Sequence, residues 1–418
     1  MNSSNISTYR QQKRIVGNLS GLSGKLNYSD QKKGNQQQKK ETLGNSIQIH
    51  SRKHKEFKRL FAIQEKVLKK GIQNTVRYCR RINSFHSKEI VASEGKSNGS
   101  IKGVFCCGSS HCPVCSSQVS RNQRSKLKKV IKYSQDKHLS VGMLTLTFSH
   151  HLKDNFTEIL QKLSEAKTYF MRMRKFRSLD IKWHISRLEF THSSENGFHP
   201  HYHIAFGVEK WDSEKEHMLK VEWMRICEKF GLTCNYKRGA DIIIDKDFSQ
   251  VENYIMKSSK DISLELTSNG TKDSKFESVS IEYLMDIVAG LESDNRYTKD
   301  TAKQLLETYF IGIKGKSIFS ASNKFQEIYE AIEETEKEKI EKREEDDQVQ
   351  HEDRPQLVIG RWILHHLSKT NTLHYLYDFI GYNDLTRLYD TLLDVLPEEL
   401  IGGVIWMDPQ KQELAIAA

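Results

Sequence analysis

The 26 residues WHISRLEFTHSSENGFHPHYHIAFGV, Trp183 to Val208, decide how this chain is read. Two runs rich in aromatic and β-branched residues flank the polar stretch SSENG, whose Asn-Gly step favours a tight turn, so the segment reads as a β-hairpin. Side chains alternate between faces along a strand. His199, His201 and His203 therefore share one face, and Pro200, Tyr202 and Ile204 the other. A turn centred near Glu195 sets Glu189 across from His201 on the histidine face. The expected product is a His/His/carboxylate cluster on adjacent strands, a mixed nitrogen and oxygen donor set suited to a divalent cation with open positions. Pro200 removes a ladder hydrogen bond, which predicts an edge or a bulge at that point of the strand.

Working outward, LSVGMLTLTFS (139–149) and ADIIIDK (240–246) read as further strands. Between them, Phe156, Ile159, Leu160, Leu163, Phe170 and Met173 recur at helical spacing behind a capping box formed by Asn155 and Glu158. DSEKEHMLKVEWMRICEKFG (212–231) is a second helix. The fold class is α+β: an antiparallel sheet with flanking helices. In DFSQVENYIMKSSKD (247–261) the spacing predicts a helix that carries Tyr254, Lys257 and Asp261 on one face. A free tyrosine ionises near pH 10, so Tyr254 as a nucleophile needs a metal or a cation beside it, and Lys257 is one turn away.

The chain has 418 residues, room for two or three domains. Its 65 Lys+Arg against 54 Asp+Glu give a net charge of +11, which biases the partner toward a polyanion such as nucleic acid. No apolar run approaches a membrane span and the polar start MNSSNISTYRQQKR lacks a secretory core, so a cytoplasmic protein with no membrane partner is expected. Residues 1–50 read as a disordered basic arm, since residues 1–60 hold 13 Lys+Arg against 3 Asp+Glu, and the crowded SRKHKEFKRL (51–60) reads as a phosphate-contacting stretch. Residues 51–135 read as a zinc-binding and basic helical segment, and 136–325 as the mixed central domain. The span 326–355 is an acidic linker or helix, with 13 acidic and 4 basic residues between Glu327 and Asp353. Residues 356–418, with LVIGRWILHHLS, LHYLYDFIGY and LTRLYDTLLDVL, read as a helical C-terminal region.

Four of the seven cysteines lie between Cys106 and Cys115. In a reducing compartment this favours a metal over disulfides. Cys107, Cys112 and Cys115 form a Cys-x4-Cys-x2-Cys pattern that reads as a structural Zn2+ site, with Cys79 as the chosen fourth ligand and Cys106 and His111 as alternatives. The basic helix SRNQRSKLKKVIK follows directly, and Arg121, Arg124, Lys126, Lys128 and Lys129 are its candidate DNA-binding residues. Cys227 and Cys234 sit in apolar surroundings and read as core.

Three motifs stand in order: MLTLTFSH (143–150), GFHPHYHIAF (197–206) and YIMK (254–257). Together they resemble the Rep proteins of rolling-circle plasmids, members of the HUH endonuclease superfamily, over about residues 75–325. The resemblance implies an HUH nuclease core, metal ligands at His201, His203 and Glu189, the nucleophile at Tyr254 and an accompanying Lys257. It further implies Mg2+ or Mn2+ as the catalytic cofactor, single-stranded or hairpin origin DNA as the partner, and a host helicase and DNA polymerase downstream. Phe198 stands where the family commonly has Trp, and Glu252 does not match the glutamate some relatives use to end the cycle. A relaxase or single-strand transposase would share these parts. A non-catalytic, metal-stabilised DNA-binding regulator is the rival from another class, and the absence of a His-Glu-x-x-His helix argues against a zinc hydrolase.

Overall fold

The hairpin forms, and it lies inside a larger antiparallel sheet. The computed structural model describes residues 55–69, 71, 74–82, 84, 89–94, 100–245, 278–341, 355–370, 372–382 and 384–407. Helix α1 spans residues 55–66. It is followed by strands β1 (Glu89–Ser93) and β2 (Ser100–Lys102), helix α2 (Cys115–Asp136), β3 (Ser140–Leu146), α3 (Phe156–Arg172), β4 (Ile181–Ser193), β5 (Gly197–Val208), α4 (Ser213–Lys229) and β6 (Ala240–Asp245). The remainder holds β7 (Val279–Ser280), α5 (Ile281–Ala289), α6 (Lys299–Gly312), β8 (Phe319–Ala321), α7 (Asn323–Glu341), β9 (Gln356–Gly360), α8 (Arg361–Lys369), α9 (Leu373–Tyr382), α10 (Leu385–Val395) and β10 (Val404–Met407).

The central sheet runs β6-β3-β5-β4-β7, with β8 also paired to β4. Helix α3 starts where its cap requires, the Asn155 side chain accepting from the Glu158 N–H. One face of the sheet is buried by α3, α4, α5 and α6 against Leu144, Leu188, Phe190, Tyr202, Ile204 and Phe206. Among the described residues, the other face is covered only at one end, where Leu127, Val130 and Ile131 of α2 and Phe325 of α7 pack on Met143, Trp183, Ile185 and Ala205. Gly207 is required here: a Cβ on it would lie 2.2 Å from Trp183 Nε1, which donates to Ser134 Oγ at 2.8 Å. Fully buried Phe325 contributes on the order of 2–3 kcal/mol by transfer alone.

Along that second face the paired positions change character. Trp183/Gly207 and Ile185/Ala205 are apolar under the helices, and Arg187/His203, Glu189/His201 and Thr191/His199 follow toward the turn. The turn itself needs Gly197, at φ +77°.

A second antiparallel sheet, β10-β9-β1-β2, forms its own core with α8, α9, α10 and Phe57 of α1. The helical expectation for residues 356–418 is corrected here: LVIG is a strand, because Leu357 and Ile359 are buried by pairing with β1, a contact that local periodicity cannot reveal. Pro200 stands where an edge was expected: β5 is interior along most of its length, but the β3 ladder ends at Leu146 opposite Tyr202, so at Pro200 the strand is paired only with β4.

The phosphate-contacting expectation for 51–60 meets an internal partner, since Arg59 of α1 makes a buried two-pronged ion pair with Asp286 of α5. The first half of the acidic run takes the helical alternative as α7, and it packs on α2 through Tyr329, Glu333 and Glu336. Among the described residues, no helix is long and apolar enough to cross a membrane.

Candidate active site and metal centres

The register pairs Glu189 with His201, as the turn geometry predicts, and Arg187 with His203. Glu189 Oε2 lies 3.3 Å from His203 Nε2 and 3.6 Å from His201 Nε2. The opposite ring nitrogens are occupied. His203 Nδ1 contacts Thr145 Oγ1 at 3.0 Å, and His201 Nδ1 faces the His199 carbonyl at 3.4 Å. With Nδ1–H donating in each ring, both Nε2 lone pairs point at the carboxylate, an arrangement of three acceptors that repel one another unless a cation or shared proton lies between them. The three donor atoms fall within 4.8 Å of one another, so the set fits a divalent ion. His199 is outside it, its Nε2 being held by Thr147 Oγ1 at 3.1 Å.

Electrostatics prepares the donors. Burial opposes ionisation of Glu189, but a proton shared with the His201 and His203 rings, where no cation lies between them, and the nearby Arg187 guanidinium outweigh it and hold the carboxyl far below the usual range. Burial lowers the pKa of His203 and pushes His199 down to about 3, so both rings are neutral at pH 7. The Glu189 side chain is 24% exposed and that of His203 only 2%, so the cluster has a wet side and a dry floor.

Arg187 was not singled out from sequence. Its Nε lies 3.2 Å from Glu189 Oε1 while its guanidinium sits over the Phe319 ring, so the two carboxylate oxygens are divided between the arginine and the histidines. The period-2 rule that groups His201 with His203 also groups Arg187 with Glu189 and could have found it. Thr145 could not have been found that way, because its position depends on the β3–β5 pairing.

The second cluster is made of sulfur. Cys79 Sγ lies 3.6 Å from Cys115 Sγ and 3.8 Å from Cys112 Sγ, and Cys107 Sγ is 3.7 Å from Cys115 Sγ. A tetrahedron of ~2.3 Å Zn–S bonds has edges of ~3.8 Å, whereas a disulfide would need ~2.05 Å. Backbone N–H groups of Cys107 and Ser109 point at Cys79 and Cys107 sulfurs. These four cysteines could hold a metal such as zinc. The alternatives fall away: Cys106 Sγ turns to the Val104 carbonyl, and both His111 nitrogens are taken, by Tyr309 Oη at 2.9 Å and the Lys316 carbonyl at 3.2 Å.

The basic helix is less available than its sequence suggests. Lys129 is paired with Glu333 and Glu336, and Lys126 lies 4.8 Å from the Tyr329 ring centre. Arg121 bonds to Gln118, and Arg124 and Lys128 also have partners within the molecule. Lys128 and Arg121 are exposed. Tyr254 and Lys257 lie outside the described residues.

A family model described as Replication protein matches residues 99–367 of the chain. No curated protein matches it, and no solved structure matches it.

Proposed function

The chain belongs to the Replication protein family, and from that premise we propose that it initiates rolling-circle plasmid replication in the cytoplasm by nicking one strand at the origin. The observation that carries this reading is the convergence of His201 Nε2, His203 Nε2 and Glu189 Oε2 on one sheet face. Bound there, Mg2+ or Mn2+ would supply Lewis-acid polarisation of the scissile phosphate. The HUH core, the relation to that superfamily and the residue roles belong to the same proposal, with residues 136–325 as the endonuclease domain.

Tyr254 is the nucleophile. Its oxygen forms a bond to phosphorus as the bond from phosphorus to the 3′ oxygen breaks. The phenol proton leaves, the 3′ oxygen takes up a proton, and the products are a 5′-phosphotyrosyl link and a free 3′-OH. Lys257 stabilises the phenolate or pairs with the phosphate. Because the phosphodiester energy is kept in the link, a later 3′-OH can reverse the step and rejoin the strand.

Chain length supports Tyr254. Asp245 pairs with Val141 and Asp241 with Thr145, the residue that holds His203. Four strand residues cover about 13 Å, and the nine steps from Asp245 to Tyr254 cover about 14 Å even at helical rise. Tyr254 can therefore return to the level of the histidines. Arg121 and Lys128 are the exposed phosphate contacts of α2 in this reading, the thiolate cluster stiffens the loop ahead of it, and the 3′-OH is handed to a host polymerase and helicase.

The test is incubation of the protein with Mn2+ and supercoiled plasmid carrying its own origin, beside Tyr254→Phe. A metal-dependent covalent adduct that vanishes in Tyr254→Phe is expected. Origin binding without an adduct would replace the nickase with a metal-stabilised DNA-binding regulator.

A further inference from the structure

Beside the histidine strand lies a cleft of about 320 Å³ between the end of β3, β5 and the turn that leads into β6, lined by Phe148, His150, His199, Asn235, Arg238 and Gly239 among others. That volume is at the small end of ligand clefts, ~300–1,000 Å³, and suits one nucleotide rather than a duplex. Its walls are aromatic. The His150 and His199 ring centres are 4.6 Å apart at 42°, and His199 continues to His201 at 5.0 Å and 30°. Both rings are fixed by their own partners, His150 Nδ1 by the Asn196 carbonyl at 2.8 Å and His199 Nε2 by Thr147 Oγ1 at 3.1 Å. They present faces rather than freely turning edges.

The cleft also carries a cation. Arg238 is exposed on a turn tied by the Arg238 and Gly239 N–H groups to the Asn235 carbonyl, at 3.1 and 2.7 Å. Among the described residues its guanidinium has no ion-pair partner. Base faces stack on aromatic and imidazole rings, and arginine pairs with phosphate.

We propose that this cleft binds one nucleotide of single-stranded DNA, its base against the His150 and His199 rings and its phosphate on Arg238. His199 joins the cleft to the metal ligands, so the bound nucleotide is a neighbour of the scissile phosphate. The inference rests on the nickase reading for that last placement only.

The experiment measures binding of fluorescein-labelled dT12, dA12 and dC12 to the full chain without added Mg2+ or Mn2+ and without chelator, so that any metal on the four cysteines is kept, for the wild type, His150→Ala and Arg238→Gln. Photocrosslinking of dT12 carrying a single 5-iodouracil, with peptide mapping, locates the base. Crosslinks within residues 147–151 are expected, with at least fivefold weaker binding in His150→Ala. Arg238→Gln is expected to bind about tenfold more weakly and to lower the slope of log K against log salt by about 0.7. Because Arg238 is exposed, its variant keeps the fold. Wild-type affinity in Arg238→Gln, no binding of any oligonucleotide, or crosslinks confined elsewhere would overturn the proposal. Crosslinks here without a Tyr254 adduct would remove the nickase and leave the cleft; an adduct with crosslinks elsewhere would do the reverse.

Discussion

The thiolate cluster and the histidine cluster differ in donors, in closure and in what they hold together. Four sulfurs from Cys79, Cys107, Cys112 and Cys115 complete a tetrahedron, leaving no position for a substrate. Glu189, His201 and His203 supply three donors on a sheet that is already pinned by its own ladder and by helices on the opposite face. The sulfurs bridge segments with little regular structure, and Val114 beside them packs on both the main core and the smaller C-terminal core. A closed site of this kind organises chain, whereas an open one on finished scaffold organises a reactant.

The strongest way to break this contrast is to damage each cluster in turn. Cys112→Ser is expected to cost several kcal/mol and lower the melting temperature by roughly 10 °C or more. His203→Ala should cost at least a hundredfold in Mn2+ affinity while moving the melting temperature of metal-free protein by only a few degrees. Differential scanning fluorimetry and Mn2+ titration read both. Equal losses of stability in the two variants would erase the distinction.

A smaller effect sharpens it. Arg187 holds Oε1 of Glu189 and leaves Oε2 to the histidines. Arg187→Met is expected to weaken Mn2+ binding by about tenfold, with partial recovery in Arg187→Lys, because partners of metal ligands tune affinity by ~10–100-fold. Mn2+ titration followed by electron paramagnetic resonance checks it; unchanged affinity in Arg187→Met would assign the arginine to packing alone.

The smallest effect concerns the scaffold beneath the open site. Burial pushes His192 down to about 4, helped by His150, and pushes His184 down to about 4, helped by the Lys167 cation. Both folded values lie below the ~6.5 of an unfolded histidine. The unfolded chain therefore binds more protons, and stability falls as pH drops from about 6.5 to about 4, by up to ~1.4 kcal/mol per unit for each ring. Denaturant unfolding between pH 7 and 4.5 measures the slope, which His192→Gln should reduce. Stability that rises on acidification would show that these rings are not neutral in the fold.

What could be read from sequence was what is local. The turn at 194–196 and the period of two were enough to set Glu189 opposite His201, because hairpin register is fixed by a few adjacent residues. The helix cap at Asn155 was visible for the same reason. Contacts between distant segments were not visible: β9 on β1, Thr145 on His203, and Lys129 between Glu333 and Glu336. Cys79 was the chosen fourth ligand although spacing alone leaves Cys106 and His111 open, and the structure brings it to the other three sulfurs.

The pairing of β9 with β1 also sets a clock. Ser93 meets Gln356, and 263 positions (356 − 93) separate them in the chain. At ~5–20 residues per second, a ribosome needs about 13–50 s to deliver the partner strand after β1 has emerged. Until then Ile90 and Ala92, both fully buried in the finished protein, have no β9 to cover them. A chain cut short before Gln356 would carry every ligand of both clusters and still lack the strand on which β1 and β10 both pair, so a newborn copy holds both sets of donors before its second sheet can form.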